Sequence, residues 1–196
     1  MREKILEIKS KAILNHVPIV RDETIKTIVE IIKENQFKNI LEIGTAVGFS
    51  GIVMLDGSDA NLTTVEKNHD RFIEAENNFK MCGFQDRVRQ IEDDALAALQ
   101  NLAQKQEKFD FIFLDGPKGQ YIKYLPYLKS LMQEKGILFA DNLLLGGLVN
   151  DPSRVNHKNR AMVKNMKSFI TAIQNDKDFK TEIFDIDDGY SISRLI

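Results

Sequence analysis

Cysteine is almost missing from this chain: Cys82 stands alone, which excludes a disulfide framework and a multi-cysteine metal site. A reducing, cytoplasmic setting is the matching expectation. Long apolar runs are missing too. No stretch approaches the ~18–20 residues that a membrane span requires. The N-terminal MREKILEIKSKAIL is charged and helix-patterned, without the apolar centre of a signal peptide. Neither sign of charge dominates: 27 Lys and Arg face 29 Asp and Glu, for a formal net charge of −2. That excludes a surface built throughout for polyanions and leaves room only for a local basic patch. Repeats and low-complexity linkers are also missing, so the 196 residues read as one domain, 1–196. With 43% hydrophobic and 29% charged residues, a chain of this length can bury roughly 70% of its unfolded surface.

What is present is alternation. Residues 2–15 carry a helical pattern that Pro18 breaks, and Asp22 is placed to cap a second helix bearing Ile25, Ile28, Val29, Ile31 and Ile32. Five apolar strands follow, each with a helical stretch behind it: NILEI (39–43), NLTTVE (61–66), RVRQIE (87–92), FDFIFLD (109–115) and GILFAD (136–141). Near-continuous apolar strands between helices indicate a parallel sheet covered on both faces. Helices are expected from Asp94 to Gln104, through Gln133, and around 157–175, before a closing pair of strands, KTEIFDI and YSISRLI. The expected fold is α/β and Rossmann-like: a doubly wound, mostly parallel sheet with a C-terminal antiparallel strand.

In such a sheet the first strand-to-helix turn is the usual ligand site. Here it reads ILEIGTAVGFSG (40–51), whose Gly44 and Gly48 let backbone approach a ligand closely. The pattern E-x-G-x-x-x-G is neither the G-x-G-x-x-G of a dinucleotide site nor a P-loop. Glu66, at the end of the second strand, can accept hydrogen bonds from both hydroxyls of a ribose. The acids after the third strand, Glu92-Asp93-Asp94, can supply an acceptor for an adenine amine. Nothing nearby is basic enough to neutralise phosphates. The ligand these features describe is an adenosine without a pyrophosphate, and S-adenosylmethionine fits.

The fourth and fifth strands end in Asp115 and in Asp141-Asn142. As neighbours in a doubly wound sheet they gather two carboxylates and an amide oxygen, a set suited to a hard cation that keeps some water, such as Mg²⁺. Lys118 follows in DGPKGQY and can fold back over the same opening, where a nearby cation disfavours its ammonium form and makes it usable as a general base.

With these residues in place, the chain resembles the cation-dependent class I O-methyltransferases, the group of the catechol and caffeoyl-CoA enzymes. LEIGTAVGFS, TTVEKN, DDAL, FIFLDGPKGQY, GILFADNLL and DDGYSIS carry the resemblance, in that order. It implies that Glu42, Gly44, Thr45 and Ser50 contact the methionine part of the cofactor, that Glu66 holds the ribose, and that Asp94 and Ala95 lie near the adenine. It further implies that Asp115, Asp141 and Asn142 bind the metal, with Asp115 also bordering the cofactor, and that Lys118 is the base. Val20 would close over the methionine end. Two departures stand out. The family's N-terminal arm is often longer than residues 1–20, which here supply the helix and lid. Gly-Pro after Asp115 also replaces the bulky aromatic residue of the catechol enzymes.

Within the family, NHVPIV (15–20), KGQY (118–121), NLLLGGLV (142–149) and HKNRAMVKNM (157–166) are similar to the bacterial tRNA 5-hydroxyuridine methyltransferases. In 5-hydroxyuracil a hydroxyl adjoins the 4-carbonyl, so the base can chelate a metal much as a catechol does. The resemblance implies that a tRNA anticodon loop is the partner and wobble 5-methoxyuridine the product. Arg154, Lys158, Arg160 and Lys164, in the acid-free run 154–167, are the expected phosphate contacts. A small catechol or phenol is the alternative acceptor. A sensor that binds adenosylmethionine without catalysis is a third reading, against which the metal-and-base set speaks. A homodimer is expected from the family.

Overall fold

The computed structural model describes residues 1–196, in two compact units, Met1–Ala98 and Leu99–Ile196. In the first, α1 (Arg2–Leu14) and α2 (Asp22–Glu34) precede β1 (Asn39–Ile43), α3 (Phe49–Asp56), β2 (Asn61–Glu66), α4 (His69–Cys82) and β3 (Val88–Glu92). The strands are parallel in the order β3-β2-β1, with Asn39 opposite Asn61 and Leu62 opposite Val88. Residues 40–43 are all buried, as a run of apolar residues in a parallel strand requires. Helix α2 is amphipathic: Thr24, Ile25, Ile28 and Ile32 face inward at three- and four-residue spacing. Arg21, not Asp22, holds the cap position of α2. Asp22 lies in the first turn, where its charge complements the helix dipole and pairs with Lys9 Nζ at 2.5 Å.

Helix α5 (Ala95–Gln104) runs across the junction of the units. The second unit continues with β4 (Phe109–Leu114), α6 (Tyr121–Leu131), β5 (Met132–Ala140), α7 (Arg160–Asn175), β6 (Phe179–Phe184) and β7 (Tyr190–Leu195). Its strands lie in the order β4-β5-β7-β6; β4 and β5 are parallel, and β7 is antiparallel to both β5 and β6. Phe139 stacks on Tyr190 at 4.7 Å and takes Phe113 edge-on at 5.9 Å, filling the space over these strands. Two boundaries differ from expectation. Strand β5 begins at Met132, which lies opposite Phe109; residues 133–135 are exposed and fall in a register shift before pairing resumes with Ile137 opposite Phe111. Helix α7 begins at Arg160, after a turn over 157–159. No helix is long and apolar enough to cross a membrane.

Candidate active site

The first unit builds a cradle from the turn between β1 and α3. Gly44 and Thr45 donate backbone N–H groups to the Val65 carbonyl, at 3.0 and 3.2 Å, which fastens the turn to β2. Gly48 has φ +80, and a Cβ there would press on the Phe79 ring at 3.1 Å. Gly51 is tighter still, since its Cβ would meet Leu62 Cδ2 at 2.6 Å. A Cβ at either position would have to push aside the Phe79 ring or the Leu62 side chain, and the left-handed φ at Gly48 itself favours glycine. Beneath the turn, Glu42 is 0% exposed. Its two carboxylate oxygens accept from Ser50 Oγ (2.5 Å) and Thr64 Oγ1 (2.6 Å), and Thr64 in turn meets Thr45 Oγ1 at 2.6 Å.

Glu66 takes the Ala46 N–H at 2.9 Å on one oxygen and the Asn68 N–H at 2.8 Å on the other. Each oxygen keeps a lone pair for a further donor. Glu66 thus shapes the turn and can still meet hydroxyl groups. Asp94 caps α5, accepting the Leu96 N–H at 3.0 Å, and lies 3.5 Å from Lys67 Nζ. Ala95 begins that helix and is buried. The Asp93 N–H reaches the Glu66 carbonyl at 3.1 Å, so the ends of β2 and β3 are joined. Val20 is buried just ahead of α2. Sequence reasoning missed Asn78, whose buried side chain donates to the Val47 carbonyl at 2.8 Å and pins the turn from α4. A polar residue on the inner face of a helix was the available signal.

The second unit gathers Asp115, Lys118, Asp141 and Asn142 at the ends of β4 and β5. The Asp141 N–H bonds the Leu114 carbonyl at 3.1 Å, carrying the strand pairing one residue further. Lys118 Nζ forms an ion pair with Asp115 and donates to Tyr121 Oη at 3.1 Å. Tyr121 is fully buried, with its hydroxyl 3.0 Å from the Leu114 carbonyl and 3.3 Å from that of Asp141. Burial, then the charges of Asp115 and Asp141, hold its phenol well above the usual range. Asp141 is 3% exposed. Burial, and next the Asp115 charge, push its carboxyl up to about 7, against the pull of the Asn142 N–H and Lys118. Asn142 adopts φ +58, an uncommon conformation for a side chain other than glycine. Tyr121 was legible in KGQY as a letter but not as the group beneath the lysine.

No cluster of three or more His, Cys, Asp or Glu side chains has metal-site geometry. The donor set of Asp115, Asp141 and Asn142 nevertheless fits a hard divalent cation. Such ions bind through one or two carboxylates and keep several waters. The raised Asp141 carboxyl also marks negative charge that a cation would neutralise.

The turn after Asn142 is fastened by the one before β7. Leu143 and Leu144 donate to the carbonyls of Gly189 (2.8 Å) and Asp188 (2.9 Å), and Gly146 N–H reaches Asp188 Oδ1 at 2.6 Å. Of the expected phosphate contacts, Arg154 is engaged within this turn, donating to the Gly146 carbonyl at 3.0 Å. Lys158 lies in the turn ahead of α7. Arg160 and Lys164, with Lys167, line an open cleft of about 760 Å³ whose floor includes Val155 and Val163.

Comparisons with known proteins agree along the whole chain. A family model described as O-methyltransferase matches residues 2–196. A Staphylococcus aureus structure solved as a candidate caffeoyl-CoA O-methyltransferase is 34% identical, with a TM-score of 0.90 over 97% of this chain and 91% of that one. A Bacillus cereus O-methyltransferase solved with SAH shares the fold at 24% identity, with a TM-score of 0.89 over 99% and 91% of the two chains. The Mycobacterium tuberculosis catechol O-methyltransferase is 31% identical over 109 residues, 55% of this chain and 49% of that protein. This chain spans about half the length of most curated relatives that it matches. The fold is the α/β, Rossmann-like methyltransferase fold, with C-terminal antiparallel strands.

Proposed function

We propose, for a chain that belongs to the O-methyltransferase family, methyl transfer from S-adenosylmethionine to an acceptor with two adjacent oxygens, assisted by a divalent cation. The observation that carries this reading is the crowding of Asp115, Asp141, Asn142 and Lys118 at two neighbouring strand ends. Glu66, with lone pairs left over from its backbone donors, would hold the ribose, and the turn 44–48 would pass along the methionine part. Asp115, Asp141 and Asn142 would hold the cation, which when bound supplies positive charge to the acceptor oxygens. Lys118 takes the proton from the acceptor hydroxyl as that oxygen becomes the nucleophile.

A small catechol or phenol is the acceptor that the relatives' names support, since they include catechol and caffeoyl-CoA enzymes. A second reading rests on the basic cleft of α7. Arg160, Lys164 and Lys167 line it without an acid among them, as contacts to the phosphates of tRNA would require. Its substrate would be wobble 5-hydroxyuridine, a single-stranded base that can enter a pocket without melting a helix, and its product 5-methoxyuridine. Methyl transfer to catechol and to hydroxyuridine-bearing tRNA, each with and without chelator, tests both. Chelation should abolish transfer to either acceptor, and full activity after exhaustive chelation would refute the cation's part. The double variant Arg160→Ala, Lys164→Ala should flatten the salt dependence of tRNA binding by about one unit for each phosphate no longer engaged. An unchanged slope discards the tRNA reading.

A further inference from the structure

Lys118 sits on thin support. Its turn, Lys118–Gln120, is a single 3₁₀ turn following Gly116-Pro117, and the Gln120 N–H to Pro117 carbonyl bond at 2.9 Å is its local closure. So short a turn, with glycine at its centre, does not fix the place of a long lysine side chain. The lysine's amine is ion-paired with Asp115, and further support comes from α7. Asn165 Nδ2 donates to the Gly119 carbonyl at 2.9 Å, across 46 residues of sequence. Met162 lies one van der Waals contact away, 3.8 Å from where a Gly119 Cβ would stand. Phe169 takes the Tyr121 ring edge-on at 5.4 Å, and the Tyr121 hydroxyl is the acceptor for Lys118 Nζ. Met162, Asn165 and Phe169 recur at three and four residues, so one face of α7 meets the lysine's turn at Gly119 and the Tyr121 ring just beyond it.

We infer that α7 is the element that positions Lys118, with Asn165 and Tyr121 as positioning residues. Asn165 fixes the backbone from which the lysine springs, and Tyr121 holds its amine together with Asp115. The inference rests on the proposed role of Lys118 as base, and its test reads the two apart. Hydrogen exchange followed by mass spectrometry on the full chain compares the parent protein with Asn165→Leu and Tyr121→Phe. Amides 119–121 should exchange about three- to tenfold faster in each variant, the weight of one hydrogen bond. Residues 40–51 and β6–β7 should keep their protection. With catechol, or with hydroxyuridine-bearing tRNA if that is the acceptor used, kcat should fall by about 10- to 100-fold while the KM for adenosylmethionine holds. Unchanged exchange at 119–121 in both variants overturns the inference. So does faster exchange spread evenly over residues 99–196, which marks general loosening. Local loosening with kcat unchanged keeps α7 as the holder of the turn and removes Lys118 from the proton transfer. If Asn165→Leu does not fold, Asn165→Asp, of the same shape but lacking the donor, replaces it.

Discussion

The two units treat their acids in opposite ways. In the first, every acid at the turn is met by donors: Glu42 by two hydroxyls, Glu66 by two backbone N–H groups, Asp94 by the start of a helix. Here the charge is spent on shape, and what remains is a set of lone pairs suited to hydroxyl and amine groups. In the second, Asp115 and Asp141 are brought together with one lysine between them, and Asp141 resists ionisation up to about 7. Satisfied carboxylates make a rigid cradle for a polar ligand, whereas carboxylates in conflict make a place for positive charge. The sharpest contrast is between the two buried acids, Glu42 and Asp141.

Breaking the second arrangement should have the largest effect. Asp141→Ala should lower kcat by about 10³-fold or more, the scale of losing several kcal/mol of charge stabilisation, and calorimetry should show cofactor affinity preserved. Lys118→Ala should cost about 10²–10⁴-fold in kcat, again with cofactor binding intact. A near-normal rate for either variant would leave the second unit without its chemical role.

Stability sharpens the contrast, because the two buried acids predict opposite signs. Glu42→Gln leaves two hydroxyls without their charged acceptor and should cost about 1.5–3 kcal/mol in urea unfolding. The sign for Asp141 follows from its raised carboxyl. The folded state holds that proton more tightly than the unfolded chain does, so its contribution is full below 3.8 and is lost as pH rises through about 7. In the presence of a chelator, Asp141→Asn should therefore be more stable than the parent at pH 8, by at least about 1 kcal/mol, and lack this loss between pH 4 and 7. Destabilisation at pH 8 would show that Asp141 is as well satisfied as Glu42.

An effect of the same size is expected at Glu66, which does both jobs. Glu66→Ala should weaken adenosylmethionine binding by about 1.5–3 kcal/mol by calorimetry. Part of the loss comes from releasing Ala46, and hence the turn, rather than from the ribose contact itself.

Much of this was legible in the residues. The five parallel strands announced themselves as apolar runs, and Asp115, Asp141 and Asn142 could be brought together because adjacent strands end side by side. What escaped reading was pairing at a distance. Asn78 and Asn165 look like ordinary helix polar residues until a carbonyl 31 or 46 positions away appears opposite them. Tyr121 stood inside the KGQY motif, yet its burial depends on α7, which that motif does not contain. The start of β5 was hidden because polar, exposed residues 133–135 interrupt it at a register shift between Met132 and Ile137, a feature hydropathy does not register. Charge alone did not announce that Arg154 lends one guanidinium N–H to a carbonyl of its own loop.

Asp176 gives the smallest expected effect and a third kind of acid. It meets Lys129 Nζ at 2.7 Å on both oxygens, and Asp178 meets the same amine at 2.8 Å. The pairing with Lys129 holds the Asp176 carboxyl below its ordinary value and, with Asp178, raises the Lys129 amine. Here neither shape nor chemistry is at stake, only attraction near the surface, which is worth less than about 1 kcal/mol. Because the folded carboxyl releases its proton more readily, the contribution is present above 3.8 and is lost as pH falls through the folded value. Asp176→Asn should thus lower the melting temperature by a few degrees at most at pH 7 and by less at pH 2. Thermal melts at both pH values, at low and high salt, decide it. Loss of turnover in this variant would break the comparison outright, since it would tie a surface ion pair to chemistry assigned to Asp115 and Asp141.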